Sequence, residues 1–448
     1  MTSIMTSSFQ KIAILGLSAL ALVACSSREP ILPGDRIAIS SGATSLNLVV
    51  DADAAGEGVG LPAALANDRF EGPGASAAHS GGHFAVQHPL KVAFREDVGI
   101  SVDVGTEMAQ PVANARAVFT LTPGGIVTAS DATSGDLIWE IDLDPSEDET
   151  QLSTTGGLAL GQRDGVDIIY GHASKNNLFA LNAENGQIIW SKEFDVFLKG
   201  GPTVDRDVAI ITDSEGRLYA LSALDGDEVW NRIGSLEDTS IAGASFPAIN
   251  GNDVILSGGD GEFLALSRDQ GIFQWGENLS PIELRTALDG IPDIKAHPVH
   301  DGGFVFVITH SGMMFAFNAA TGRMVWEQAI QGIEMPWVSG RSIYITTIDG
   351  RMVALRRNDG AVRWVTELPG AYDPNLPVNE DAYRYTSAVV VSGKVVLASD
   401  QGSLFILDAE TGRLEDKLST KGAVTTAPIV ANNTVYVINA SGNLIAYR

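Results

Sequence analysis

Gly216-Arg-Leu-Tyr-Ala220, followed by Gly226 and Trp230, sets the frame for the whole chain. The same spacing returns as Gly125, Ala129, Gly135, Trp139 and as Gly261, Ala265, Gly271, Trp275. It returns again as Gly312, Ala316, Gly322, Trp326 and as Gly350, Ala354, Gly360, Trp364. Asn176 replaces the first glycine in the unit with Ala180, Gly186 and Trp190. A seventh unit, opened by Gly402 and Gly412, carries Ile406 for the alanine and Asp416 for the tryptophan. An eighth, Gly442 to Ala446, is cut off at Arg448. The starts lie 51, 40, 45, 51, 38, 52 and 40 residues apart. A period of roughly 40–50 residues with short apolar runs marks a β-propeller, one blade per repeat. The expected fold class is all-β: an eight-bladed β-propeller with four-stranded antiparallel blades.

Each repeated residue has a physical task. A proline stands fourteen residues before the first glycine in six units: Pro111, Pro202, Pro247, Pro298, Pro336 and Pro428. Proline has no N–H to give a ladder, so it is tolerated at the start of a strand and not in mid-sheet. Each therefore opens the innermost strand of a blade. Asp349-Gly350 and Ser441-Gly442 supply the positive φ of tight hairpins. Alanine lets neighbouring blades approach, and tryptophan buries a large flat face between them, so the six repeat tryptophans read as structural.

The two ends of the chain complement each other. The last unit stops before a fourth strand, and Lys91-Val-Ala-Phe-Arg-Glu-Asp-Val98 reads as an orphan fourth strand. Joining them completes blade eight and removes an open edge. The propeller is expected over residues 90–448.

The N-terminus reads as an address. The apolar run Ile12 to Val23 is too short to span a bilayer as a helix but fits a signal-peptide core over residues 1–24. Leu22-Val23-Ala24-Cys25 resembles a bacterial lipobox, and Cys25 is the only cysteine. That resemblance implies cleavage before Cys25, acylation of it and, with Ser26 next, delivery to the outer membrane. Residues 25–89 are rich in Ala, Gly, Ser and Pro and are expected to be a flexible tether. His79, His83 and His88 lie in it without acidic or thiolate partners at ligand spacing, so no metal is expected there.

Composition removes other functions. With 29 Lys and Arg against 55 Asp and Glu, the net charge of −26 argues against a nucleic-acid partner. No nucleophile elbow, Walker loop or His-Glu-x-x-His helix occurs. His297, His300 and His310 are the best histidine cluster in the propeller, and they read as surface or strand-end residues. No catalytic, cofactor or metal residue is therefore expected.

The turns Ala319-Ala-Thr-Gly-Arg-Met-Val-Trp326 and Asp408-Ala-Glu-Thr-Gly-Arg413 resemble the quinoprotein-type propeller repeat. Quinone-cofactor dehydrogenases carry it, and so does the BamB family of outer-membrane β-barrel assembly lipoproteins. The lipobox, eight units and an ending inside the last blade resemble the BamB family. The stretch from Leu61 through His79 and His88 is similar to the N-terminal extension of its alphaproteobacterial members. The resemblance implies a non-catalytic scaffold, monomeric within a complex. It would be lipid-anchored at the periplasmic face of the outer membrane and bind the periplasmic domains of the barrel-forming subunit. The alternative is a quinone- or metal-binding propeller enzyme or periplasmic sensor, although no cysteine pair is available here.

Loop lengths point to one face. Trp230 lies 17 residues before Pro247 and Trp275 lies 23 before Pro298. The interval after Trp364 is also long and contains Tyr372, Tyr383 and Tyr385. Connections from an outer strand to the next inner strand emerge together, and long ones are binding candidates. A family Leu-x-Leu-Arg-Gly segment aligns with Thr239-Ser-Ile241-Ala242-Gly243, without its arginine. A family Asp-x-Asp pair aligns with Asp293-Ile-Lys295, keeping the first acid. Leu284 and Arg285 in the neighbouring loop offer a substitute. The expected partner-binding residues are thus Ile241, Gly243, Leu284, Arg285 and Asp293.

Overall fold

Strand alternation and paired glycine turns turn each repeat into one twisted sheet. A computed structural model describes residues 48–99, 108–143, 156–173, 176–233, 245–258, 261–280, 294–371 and 382–448. Blade one runs through Val112–Ala113, Ala117–Leu121, Ile126–Asp131 and Leu137–Asp142. Calling the strands A to D in that order, A strands meet the A strands of neighbouring blades and line the axis. Blades two to seven occupy 157–193, 198–233, 248–278, 299–329, 337–367 and 389–419. Blade eight is built from Ile429–Ala431, Thr434–Ile438 and Asn443–Tyr447, with Val92–Asp97 as its D strand. The sheet order joins the chain's two ends, as the sequence predicts.

Five of the six repeat prolines immediately precede an A strand. Pro202 is the exception: strand A of blade three is Leu198–Asp205, and its pairing register shifts between Lys199 and Thr203. A ladder irregularity is the other setting that accommodates a residue without an N–H.

The repeat alanine and tryptophan are cross-strand partners, as in Ala220↔Trp230 and Ala316↔Trp326. One residue before the tryptophan position every C–D pair has a register shift, and in blade eight it falls between Val92 and Phe94. Such bulges strengthen twist and bend the strand. All six repeat indoles donate from Nε1 to a carbonyl of the next blade at 2.7 to 3.2 Å, as Trp139 does to Ala183 and Trp326 to Arg357. Each indole also lies against the C–D turn glycine of that blade. At Gly360, with φ of 73°, an added Cβ would sit 2.6 Å from Trp326 Cε3. Glycine is thus required twice there, for the turn and for ring contact.

Asp416 follows from ring closure. Blade eight has no C–D turn, because its D strand, Val92–Asp97, comes from far upstream of its C strand. A tryptophan in blade seven would have no turn glycine to cover. At the other side of blade eight, Phe94 pairs with Ala446 and takes the tryptophan position. The carbonyl of Ala132 there accepts from Tyr436 Oη and, in place of an indole, from Arg448 Nη2.

The flexible tether expected over 25–89 is corrected where it is described. Residues 48–90 cross the far end of the channel as a plug. Phe70, Glu71, Ala77, Ala78, Gly82 and Phe84 hydrogen-bond through their backbones to the A strands of blades one, two, four, five, six and seven, and the Asn67 carbonyl accepts from the N–H of Asn432, just past strand A of blade eight. Phe70 is fully buried. A short helix, Ala52–Gly56, lies on the outer strand of blade six, where buried Arg363 donates to the carbonyls of Ala54 and Glu57 at 2.9 and 2.7 Å. Small residues serve close approach here: a Cβ on Gly81 would fall 2.4 Å from Trp337 Cε2. Trp337 Nε1 donates to the Gly82 carbonyl at 2.9 Å. The expected signal peptide and Cys25 lie outside the described residues. Among the described residues, no helix is long and apolar enough to cross a membrane.

Candidate functional site at the loop face

The D-to-A connections return to the axis at the residue that precedes each repeat proline. Proline biases that residue toward extended backbone, which delivers its side chain at the channel mouth in the five blades whose A strand the proline opens. Gln110, Phe246, His297, Met335 and Ala427, five of six such residues, line a cavity of about 120 Å³. Its floor includes Pro73 of the plug, and Lys295, Glu334, Ser387 and Thr426 join its wall. The channel is therefore a blind cup, open toward the D-to-A connections.

Two neighbouring connections are clasped together where they re-enter. Ser245 Oγ donates to the Ala296 carbonyl at 3.2 Å, and the Phe246 N–H donates to His297 Nδ1 at 3.0 Å. The Phe246 and His297 rings lie 4.7 Å apart. Burial holds the His297 imidazole well below its usual pKa, with the Lys295 ammonium and His79 adding to the effect. Its Nδ1 thus remains an acceptor at neutral pH. On the next wall, Glu334 Oε2 accepts from Ser387 N and Oγ at 2.9 and 3.0 Å, linking blades six and seven.

The expected partner-binding residues Ile241, Gly243, Leu284, Arg285 and Asp293 lie outside the described residues. Their connections are defined at their ends: one leaves after Ile233 and returns at Ser245, and the other leaves after Asn278 and returns at Ile294. Of the tyrosines in the third long interval, Tyr385 is buried and its hydroxyl donates to the Pro369 carbonyl. Tyr383 lies under the Lys417 ammonium at 5.8 Å. Both pack on blade seven; Tyr372 lies outside the described residues.

The surface reading of the propeller histidines is corrected in part. His300 is buried and binds Asn250 at 2.9 Å, joining blades five and four. His79 and His83, read as tether residues, fasten the plug. His79 Nδ1 donates to the Pro298 carbonyl at 2.8 Å. His83 Nδ1 donates to Pro62 O at 2.7 Å, and its Nε2 accepts from Gly393 N at 2.8 Å. No cluster of three or more metal-ligating side chains occurs among the described residues. Sequence reasoning missed the cup and the clasp. The signal was the position before proline, which shows its pattern only when the units are superimposed.

These features define an eight-bladed propeller of the PQQ-like repeat type, closed by its own N-terminal strand and plugged at one end. A family model described as "Outer membrane protein assembly factor BamB" matches residues 108–366 and 378–448, and the chain belongs to that family. The protein named outer membrane protein assembly factor BamB in Yersinia pestis is 26% identical over 361 residues, covering 80% of this chain and 88% of that protein. Its namesake in Escherichia coli K12 is 24% identical over 359 residues, covering 79% and 87%. The crystal structure of BamB from Moraxella catarrhalis matches with a TM-score of 0.64 at 21% identity, covering 80% of this chain and 99% of that one. A quinohemoprotein alcohol dehydrogenase from Comamonas testosteroni matches with a TM-score of 0.65 at 14% identity, covering 86% and 81%. At such identities the structural likeness concerns the fold alone.

Proposed function

We propose that this chain is a non-catalytic scaffold lipoprotein of outer-membrane β-barrel protein assembly. Cys25 carries the lipid anchor and holds the propeller at the periplasmic face of the outer membrane. The loop face, through Ile241, Gly243, Leu284, Arg285 and Asp293, binds periplasmic domains of the barrel-forming subunit. The observation that carries this reading is the clasp. It ties together the ends of the two connections that contain these residues, at the rim opposite the plug. A preorganised rim lowers the ordering cost of association. The family membership and the names of the relatives support the same role. The cup supports the non-catalytic part: about 120 Å³ falls below the roughly 300–1,000 Å³ usual for small-molecule sites.

The test is site-specific photocrosslinking in cells. A photoreactive residue at Ile241, Leu284 or Asp293 is expected to capture the barrel-forming subunit. One at Asp164, an exposed position on the A–B turn of the plugged face, is expected to capture none of it. Capture from Asp164 alone would reverse the assignment of the faces.

A further inference from the structure

We propose that one ordered water is built into the joint between the plug and blade three, held by His79 Nε2 and Thr203 Oγ1. Blade three is the blade whose A strand and following turn take no backbone hydrogen bond from the plug among the described residues. A small cavity lies at that seam, lined by Glu71, Gly72, Pro73, Ser76, His79 and Thr203, among others. Its volume is about 10 Å³, counted as room for the centre of a water molecule, so it can hold one water.

The polar groups at the seam fit such an occupant. His79 is fully buried, and its Nδ1 is committed as donor to the Pro298 carbonyl. That fixes the neutral tautomer and leaves Nε2 as an acceptor. Among the described residues, Nε2 is buried without a hydrogen-bond partner, and so is Oγ1 of Thr203, which is 4% exposed. A buried polar group left unpaired is destabilising. A water donating to His79 Nε2 and bonded to the Thr203 hydroxyl removes both penalties at once. It also gives the plug a seat on a blade to which it makes no backbone hydrogen bond among the described residues. Two imidazoles, His79 and His297, lie near each other, with ring centroids 5.7 Å apart. Among the described residues they have no third ligand of the kind a zinc site requires.

A high-resolution crystal structure of the unmodified chain is expected to show one density peak within about 3 Å of both atoms. A seam with no peak overturns the proposal. The second measurement is hydrogen exchange at the Ile249, His300 and Gly82 amides, which bond across the plug–blade seams. Thr203→Val is expected to speed their exchange about fivefold in the native background, the worth of one lost hydrogen bond. In a His79→Phe background the same change is expected to have no effect, because the shared partner is already gone. Equal acceleration in both backgrounds overturns the proposal. The density measurement stands even where a variant fails to fold.

Discussion

Phe94 pairs with Ala446 in the register in which Trp139 pairs with Ala129. A Cβ on Gly135 of blade one would lie 2.6 Å from Phe94 Cδ2, as one on Gly186 would lie 2.7 Å from Trp139 Cε3. A strand from the other end of the chain thus reproduces the alanine partner, bulge and turn contact of the six strands that carry a repeat tryptophan. Phe94→Ala is expected to lower stability by about 2 kcal/mol, below the range for fully buried phenylalanine because the residue is only partly buried. Urea unfolding followed by tryptophan fluorescence measures it. A cost within error of zero would mean that closure does not depend on this ring.

Gly360→Ala places a side chain in the left-handed region and against Trp326. Strain and overpacking together are expected to cost about 2–4 kcal/mol. Near-ultraviolet circular dichroism is expected to report displacement of the indole. A variant as stable as the native chain would remove the turn glycines from the account of blade packing.

Asp416→Trp restores the residue that the repeat would demand. It is expected to change stability by no more than about 0.5 kcal/mol, since blade eight has no C–D turn to receive the ring. A gain of the size seen when a core aromatic is added would show that something else receives it.

The repeat was legible because its determinants are local. Gly226, Trp230 and Ala220 lie within eleven residues, and closure needed only an orphan strand at one end and a missing one at the other. The plug left no such trace. It binds chiefly through backbone groups set against strand ends, so its side chains need no period. Its glycines, such as Gly81 under Trp337, imitate the composition of a linker. The cup was hidden for a different reason: Phe246 and His297 are 51 residues apart and meet only because each precedes the proline of an adjacent blade.

The plug makes acid stability sensitive to His79. Burial lowers its pKa from 6.5 to about 4. The unfolded chain therefore takes up the proton first as pH falls. The stabilisation is complete above pH 6.5 and is lost between 6.5 and about 4, with an upper bound of roughly 3 kcal/mol. His79→Gln is expected to flatten that part of the profile, read from urea midpoints at several pH values. An unchanged slope between native and variant chains would place the acid sensitivity elsewhere.

The most direct measurement is co-purification from detergent-solubilised envelopes, read by mass spectrometry. The tagged native chain is expected to recover the barrel-forming subunit. The Arg285→Glu, Asp293→Lys double variant is expected to lose most of it while keeping the native melting temperature. Equal recovery by the two chains, or recovery of no assembly subunit by the native one, would contradict a scaffold acting through its loop face.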